Sequence, residues 1–338
     1  MLASALLVLT AVAIWQNWRA ATTPHAEVDW ASVSRRDLVT AALYLDVQEA
    51  GPGLALRHLA DLATRDTTLN PLRHLYAHQV GRYALLWRNW DPSVYAECTP
   101  QFESGCYHGL IEAYLGHTPM LDQAELGRLC DRIVGSASPE VARRECAHGL
   151  GHGLWFRFHG AYREALSHCD QLASSTAQDE CRDGVFMQRA GAGAMHTHQG
   201  SGGATPVRLS CAEEPARYRH ACWHYQGRLF VAAGGYRKAF AECDAAGDYV
   251  SVCYWGLGKW IAGEVTGSGG GDEKIITLCS QGRSPMLGAC LAGAAENLVD
   301  ENWTTERAER LCRTSPDSGK AACYAKLAER RAILAARR

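Results

Sequence analysis

Fourteen cysteines set the frame for this chain of 338 residues. They fall into seven pairs: Cys98/Cys106, Cys130/Cys146, Cys169/Cys181, Cys211/Cys222, Cys243/Cys253, Cys279/Cys290 and Cys312/Cys323. The second members recur at steps of 40, 35, 41, 31, 37 and 33 residues. A period of roughly 36 is what one helix-turn-helix repeat occupies. Two segments repeat almost verbatim at twice that distance: "GAYREALSHCD" from Gly160 and "GGYRKAFAECD" from Gly234. The chain is therefore expected to fold as a row of similar helical hairpins. The even cysteine count points to disulfides made in an oxidising compartment. No C-x-x-C pair is present, which argues against a zinc ribbon, a thioredoxin-type motif or covalently attached haem.

One unit can be built from local chemistry. Ser138 suits an N-cap and Pro139 the first helical position. "EVARRECAHGLGHGLWFRF" then runs as helix A, Gly160 ends it, and "AYREALSHCDQL" forms helix B with Tyr162, Ala165, Leu166 and Cys169 on one stripe. A unit without cysteines starts at Asn70-Pro71, and "RRDLVTAALYLDV" with "LALRHLADLAT" reads as a further hairpin ahead of it. In each pair the first cysteine closes a helix B and the second opens the next helix A. A bridge between these neighbours uses all fourteen thiols. A bridge from helix A to its own helix B, Cys146 to Cys169 and so on, is the alternative and leaves Cys98 and Cys323 over. Three residues after the second cysteine stands a glycine in five of seven units: Gly109, Gly149, Gly184, Gly256 and Gly293. A helical glycine costs about 1 kcal/mol against alanine, so its repetition predicts close backbone approach between neighbouring helices.

The "G-x-Y-x-x-A-[LF]" turn and the period resemble the tetratricopeptide and Sel1-like helical repeats, from Asn70 to the C-terminus. The paired cysteines and the histidines depart from those families. The resemblance implies an all-α, right-handed solenoid of hairpins with helix A lining a concave groove, and a protein or peptide as the partner held there.

The first twenty residues, "MLASALLVLTAVAIWQNWRA", carry no charged side chain before Arg19. Residues 1–20 read as an export signal or a retained membrane anchor, 21–33 as a linker, and 34–338 as the repeat domain. An extracytoplasmic location follows: periplasmic, cell-surface or secreted, with the membrane as partner through that segment. Formal net charge is -2, and the last turn, "ERRAILAARR", is the one basic run, so nucleic acid is not a partner. That terminal helix is expected to cap the stack.

The histidines carry the chemistry. Two residues after the second cysteine stand His108, His148 and His224, with Asp183 in a fourth unit. One turn later come Glu112 and His152. The cysteine-free unit supplies His74 and His78 at the same four-residue spacing. Residues i and i+4 share a helix face with Cβ atoms ~6 Å apart, so two imidazoles so placed can share one ion. The candidate ligands are His74, His78, His108, Glu112, His148 and His152, with Asp183, His159 and His224 as secondary candidates. By ligand type the set suits zinc, copper or iron. The competing expectation is a structural, partner-binding scaffold whose histidines only bond neighbouring helices and which holds no metal. No nucleophile–base pair is identifiable, and the C-terminal units lose the pattern (Trp255/Lys259, Ala292/Glu296). Gly191 to Pro206, with His196 and His198, reads as a solvated Gly-rich loop, and "TGSGGGDE" as a linker with Asp272 as an N-cap.

Overall fold

A computed structural model describes residues 35–119, 121–134, 140–195, 210–302 and 304–335. The candidate export segment 1–20, the linker 21–33, Ser138-Pro139, His196, His198 and the last three residues lie outside the described residues. The chain divides into Met1–Ala42 and Leu43–Arg338; the helix packing and the candidate site lie in the second unit. Among the described residues no helix is long and apolar enough to cross a membrane.

The described chain is all-helical, with no strand. In order the helices are α1 (Arg35–Ala50), α2 (Pro52–Arg65), α3 (Arg73–Trp87), α4 (Gly105–His117), α5 (Gln123–Val134), α6 (Glu140–Arg157), α7 (Tyr162–Cys169) and α8 (Ser175–Met195). They continue as α9 (Ala216–Asp244), α10 (Val250–Gly267), α11 (Asp272–Cys279), α12 (Leu287–Asn302), α13 (Glu306–Thr314) and α14 (Asp317–Ala335). The long helices pack in sequence, α3 on α4, α4 on α6, α6 on α8, α8 on α9, α9 on α10, α10 on α12 and α12 on α14. In sequence the short helices α5, α7, α11 and α13 each stand between two of these long ones.

All fourteen cysteines form the neighbour bridges: Cys98–Cys106, Cys130–Cys146, Cys169–Cys181, Cys211–Cys222, Cys243–Cys253, Cys279–Cys290 and Cys312–Cys323. Their Cα atoms are 5.5–5.8 Å apart. None is free, and the helix-A-to-own-helix-B alternative does not occur. Each bridge closes a loop of 8 to 16 residues, which restrains the unfolded chain by roughly 3 kcal/mol.

The rule for where the cysteines sit needs correcting at both ends of the bridges. Cys98 follows a 3-10 turn (Pro92–Glu97) rather than a helix B, and Cys211 precedes α9 in a non-helical segment. Cys106 does open its helix, as the second residue of α4, but other second cysteines lie further in. Cys222 lies inside α9, which starts at Ala216, and Cys253 inside α10, which starts at Val250. Cys146 likewise follows the start of α6 at Glu140. The physical reason is burial. Cys222 and Cys253 are fully buried, as are their partners or nearly so, and the first turn of each helix carries the chain in from the surface. In these helices the sulfur sits further along to reach the interior.

The two near-identical turns differ by one residue. Gly160 takes φ 83° after α6, whereas in the second copy Gly234 is extended and Gly235 takes φ 79°, so α9 is two helices joined at a kink. Both copies need one left-handed residue, and glycine adopts it without the Cβ clash. Other boundaries shift as well. α8 runs to Met195, so Gly191–Met195 is helix rather than loop. The cap of α11 is Gly271; Asp272 is its first residue and holds Arg307 Nε at 2.9 Å.

The glycines fit as close-packing residues, in reciprocal pairs. A Cβ on Gly109 would lie 1.9 Å from the His78 carbonyl oxygen, and one on Gly81 2.0 Å from that of Cys106. Gly184 meets the His148 carbonyl at 2.1 Å and Gly151 that of Cys181 at 2.0 Å. Gly293 and Gly258 repeat the arrangement against Trp255 and Cys290. No side chain fits at these distances, so helix pairs α3/α4, α6/α8 and α10/α12 touch backbone to backbone. Gly149 is looser, with Ile111 Cβ at 3.2 Å.

A second contact joins distant parts of the sequence. The amides of Phe102 and Glu103 donate to the carbonyls of Glu301 and Asp300 at 3.1 Å, and Arg73 Nη2 lies 3.1 Å from Glu301 Oε2. Phe102, Glu103 and Ser104 all have φ between 52° and 61°. Left-handed backbone costs a non-glycine residue roughly 1–2 kcal/mol, so this turn is held by what it contacts.

Candidate metal centre

The glycine pairs explain why imidazoles meet. Gly109 lets α4 lie against the His78 carbonyl, which brings its neighbour His108 beside His78. One helix pair further on, Gly184 seats α8 against the His148 carbonyl. Ring centroids of His78 and His108 are 5.5 Å apart, those of His108 and His148 4.8 Å, and those of His108 and His152 5.0 Å. His74 lies 4.5 Å from His78, and His152 5.5 Å from His78. Five imidazoles from α3, α4 and α6 thus form one contiguous cluster, with Glu112 among them.

Three triads of the cluster could each hold an ion: His74/His78/His108, His108/His148/His152 and His78/Glu112/His152. Within each triad the ligand atoms lie within 4.8 Å of one another. No cysteine takes part, because every sulfur, those of Cys222 and Cys253 included, is held in a bridge. The three triads are not equivalent. Glu112 Oε1 lies 3.1 Å from His78 Nδ1, 3.4 Å from His152 Nδ1 and 3.3 Å from Gln188 Nε2, and Oε2 accepts from Arg82. Burial works against the Glu112 charge, but His78, His152 and Arg82 outweigh it and hold the carboxyl well below its usual range. An ion on Glu112 would have to displace these donors and sit against a guanidinium. The carboxylate is better suited to orienting the rings from outside, as carboxylates do behind metal-bound histidines. The two all-imidazole triads remain.

Their nitrogens are open. His108 and His152 are 3% and 1% exposed, yet Nδ1 of His108 and Nε2 of His152 have no hydrogen-bond partner, and Nε2 of His108 has only the Glu145 carboxylate at 3.5 Å, beyond a well-formed bond. A buried polar atom without a partner costs about 1–3 kcal/mol, so leaving such nitrogens on two adjacent rings is a large deficit. Burial also keeps the rings neutral: it lowers His78, His108 and His152 to about 4, and His148 well below its ordinary value. Neutral imidazole is the form that binds a metal, with no proton to displace from the ligating nitrogen.

Beside the cluster lies a cavity of about 130 Å³. The expectation that all six candidates face a groove is only partly met. His108 and His148 line the cavity; His74, His78, Glu112 and His152 sit behind them, between helices. The secondary candidates separate from the cluster. Asp183 and His224 line the same cavity but pair with each other, Oδ2 to Nδ1 at 3.1 Å, and His224 stacks on Trp255 with centroids 4.2 Å apart. His159 is exposed beyond the end of α6 with φ 50°. The residues overlooked in the sequence are Glu145, 3.5 Å from His108 Nε2, and Glu180, 4.0 Å from His148 Nδ1. Each stands directly before a second cysteine, Cys146 and Cys181, three residues ahead of His148 and Asp183; that shared register was the available signal. Arg82, one turn after His78, was a second.

The far wall of the cavity comes from the C-terminal helices: Trp255 and Lys259, Glu296 and Asp300, Arg330 and Ile333. The terminal helix is therefore more than a cap. Arg330 pairs with Asp300, both largely buried.

No protein-family model, no curated protein sequence and no solved structure matches this chain.

Proposed function

We propose that this chain is an extracytoplasmic metal-binding protein of helical-repeat architecture. The observation that carries the reading is the set of buried imidazole nitrogens on His108 and His152 that lack a well-formed hydrogen bond, with His148 beside them. An ion of zinc, copper or iron bonded to His108, His148 and His152 would satisfy one nitrogen of each ring. Three histidines with a further position open toward a cavity is a ligand set at which such ions can hold water or a small polar molecule. The successive packing of the long helices, the paired G-x-Y turns and the cysteine period support a right-handed tetratricopeptide- or Sel1-like solenoid. Seven disulfides support an oxidising compartment, with the apolar N-terminal segment as the export signal or anchor.

The test is elemental analysis of freshly purified, untagged protein. At least one equivalent of a transition metal is expected, and His148→Ala with His152→Ala should lose it while keeping helical content. Wild-type protein with no stoichiometric metal, after exposure to zinc and copper, would contradict the reading.

A further inference from the structure

The reading above requires one ion; the other half of the cluster asks for a second. His74 Nδ1 lies 2.8 Å from the carbonyl oxygen of Phe102. A carbonyl only accepts, so the His74 proton sits on Nδ1 and Nε2 is bare. His78 Nδ1 faces the Glu112 carboxylate at 3.1 Å, which likewise keeps its proton there. The two Nε2 atoms are nevertheless 3.0 Å apart. Two lone pairs at that distance repel unless something positive lies between them. A proton would make an imidazolium in a buried site. A metal ion needs no such charge on the ring, and two bonds of about 2.0–2.1 Å to one ion span this separation at an angle of roughly 95°. The strained turn at Phe102–Ser104 has its explanation here, since it delivers the carbonyl that fixes the His74 tautomer.

His108 belongs to both imidazole triads; both of its nitrogens are buried, Nδ1 with no partner and Nε2 with only the Glu145 carboxylate at 3.5 Å. A ring with one open nitrogen can serve one ion; a ring with two can join a pair. We propose that the cluster holds two metal ions, one on His74 and His78, the other on His148 and His152, with the His108 ring shared between them. This rests on the metal-binding reading of the same residues. The balance is simple. Neutral His108 carries one N–H; when the second ion bonds to that nitrogen the proton leaves, with Glu145 Oε2, 3.5 Å from Nε2, as the nearby carboxylate that can pass it to the cavity. No electron moves. Glu145, Glu180 and Asp183 outnumber Arg144, which pairs with Glu180, so that side of the cavity is acidic on balance, which favours entry of a cation.

The experiment uses copper(II) alone as probe on the metal-free full chain, with bound copper counted after equilibrium dialysis and its spin counted by electron paramagnetic resonance. Wild type should bind one equivalent more than His74→Ala and one more than His148→Ala, so that any adventitious surface copper cancels in the differences. The wild-type spin count should fall short of its copper count, because an imidazole ring shared by two ions couples them; each single variant should recover a full spin per cluster copper. His74→Gln, which retains a side-chain donor, serves if His74→Ala loses helical content. Loss of one equivalent in His148→Ala but none in His74→Ala would sink the second ion and leave the first. Two equivalents with full, additive spin would sink the shared ring. No difference between wild type and either variant would remove the metal reading itself.

Discussion

The two walls of the cavity are built on the same scaffold and filled differently. In the N-terminal wall, positions one turn apart on successive long helices carry His74/His78, His108/Glu112 and His148/His152. In the C-terminal wall the corresponding positions carry His224/Arg228, Trp255/Lys259 and Ala292/Glu296. Both walls use the glycine pairs that press helix backbones together. The first wall leaves buried nitrogens unpartnered. The second pairs its charges with one another, leaving Arg330 Nε as its unbonded buried nitrogen: Glu296 accepts from Trp255 Nε1 at 3.0 Å and lies 3.4 Å from both Lys259 Nζ and Lys326 Nζ, while Asp300 takes Arg330. Close backbone packing therefore fixes where side chains meet, and their identity decides whether the meeting point is completed from within or needs an ion from outside.

That comparison can be broken from the charged side first. Arg330→Ala removes the partner of Asp300. Breaking a buried pair costs about 3–5 kcal/mol, and the low end is expected here because burial already raises Asp300 to about 7 and a proton can replace the guanidinium. Thermal unfolding should show that loss, while metal content stays at the wild-type value. A parallel fall in metal would show that the walls are not separable.

From the other side, Glu112→Gln keeps the shape but removes the charge that orients His78 and His152. Loss of such an outer partner weakens metal affinity by roughly 10–100-fold, read by competition with a chelator. Complete loss of binding would instead make Glu112 a ligand and favour the third triad.

The smallest effect sharpens the contrast through pH, in metal-free protein. Histidines 78, 108 and 152 sit at about 4 when folded against 6.5 ordinarily, through burial. Between those values the unfolded chain binds protons that the folded chain refuses, so these groups make stability fall as pH drops below 6.5. Burial acts oppositely on Glu180 and Asp300, raised to about 7, and on Glu301, raised to about 8. The folded chain keeps those protons where the unfolded chain has lost them, so stability falls as pH rises from 4.5 toward 8. Each group contributes a slope of about 1.4 kcal/mol per pH unit. Five histidines are lowered, counting His148 and His224, against three raised carboxyls. The melting temperature should therefore peak near pH 6.5, and Glu301→Gln, which removes a window running from 4.5 to about 8, should flatten the alkaline side and steepen the rise on the acid side. A monotonic profile would contradict the burial assigned to one wall.

Much of this was legible in the sequence. The cysteine pairs pointed to an all-helical chain and favoured the neighbour bridges that form over the alternative. They did not fix where Cys222 and Cys253 fall in their helices, because that depends on how deep the bridge is buried. The glycine three residues after the second cysteine foretold backbone contact, and the i, i+4 histidine pairs foretold a shared face. The rest depends on which atom faces which. Whether Nε2 of His152 has a partner, whether Glu112 binds or orients, and whether Asp183 is taken up by His224 are decided by neighbours 30 to 40 residues away in sequence. Arg330 shows the same limit: a basic terminal helix reads as solvated until its partner Asp300 is seen. The one-residue shift between the Gly160 and Gly235 turns was hidden because either glycine can supply the left-handed residue.

The account stands on imidazole nitrogen as the ligand. X-ray absorption at the edge of the metal bound to purified wild-type protein measures that directly. The account predicts a first shell dominated by nitrogen at about 2.0–2.1 Å with the outer-shell scattering of imidazole rings, at least three per ion. A shell of carboxylate and water oxygens with no imidazole scattering would contradict it.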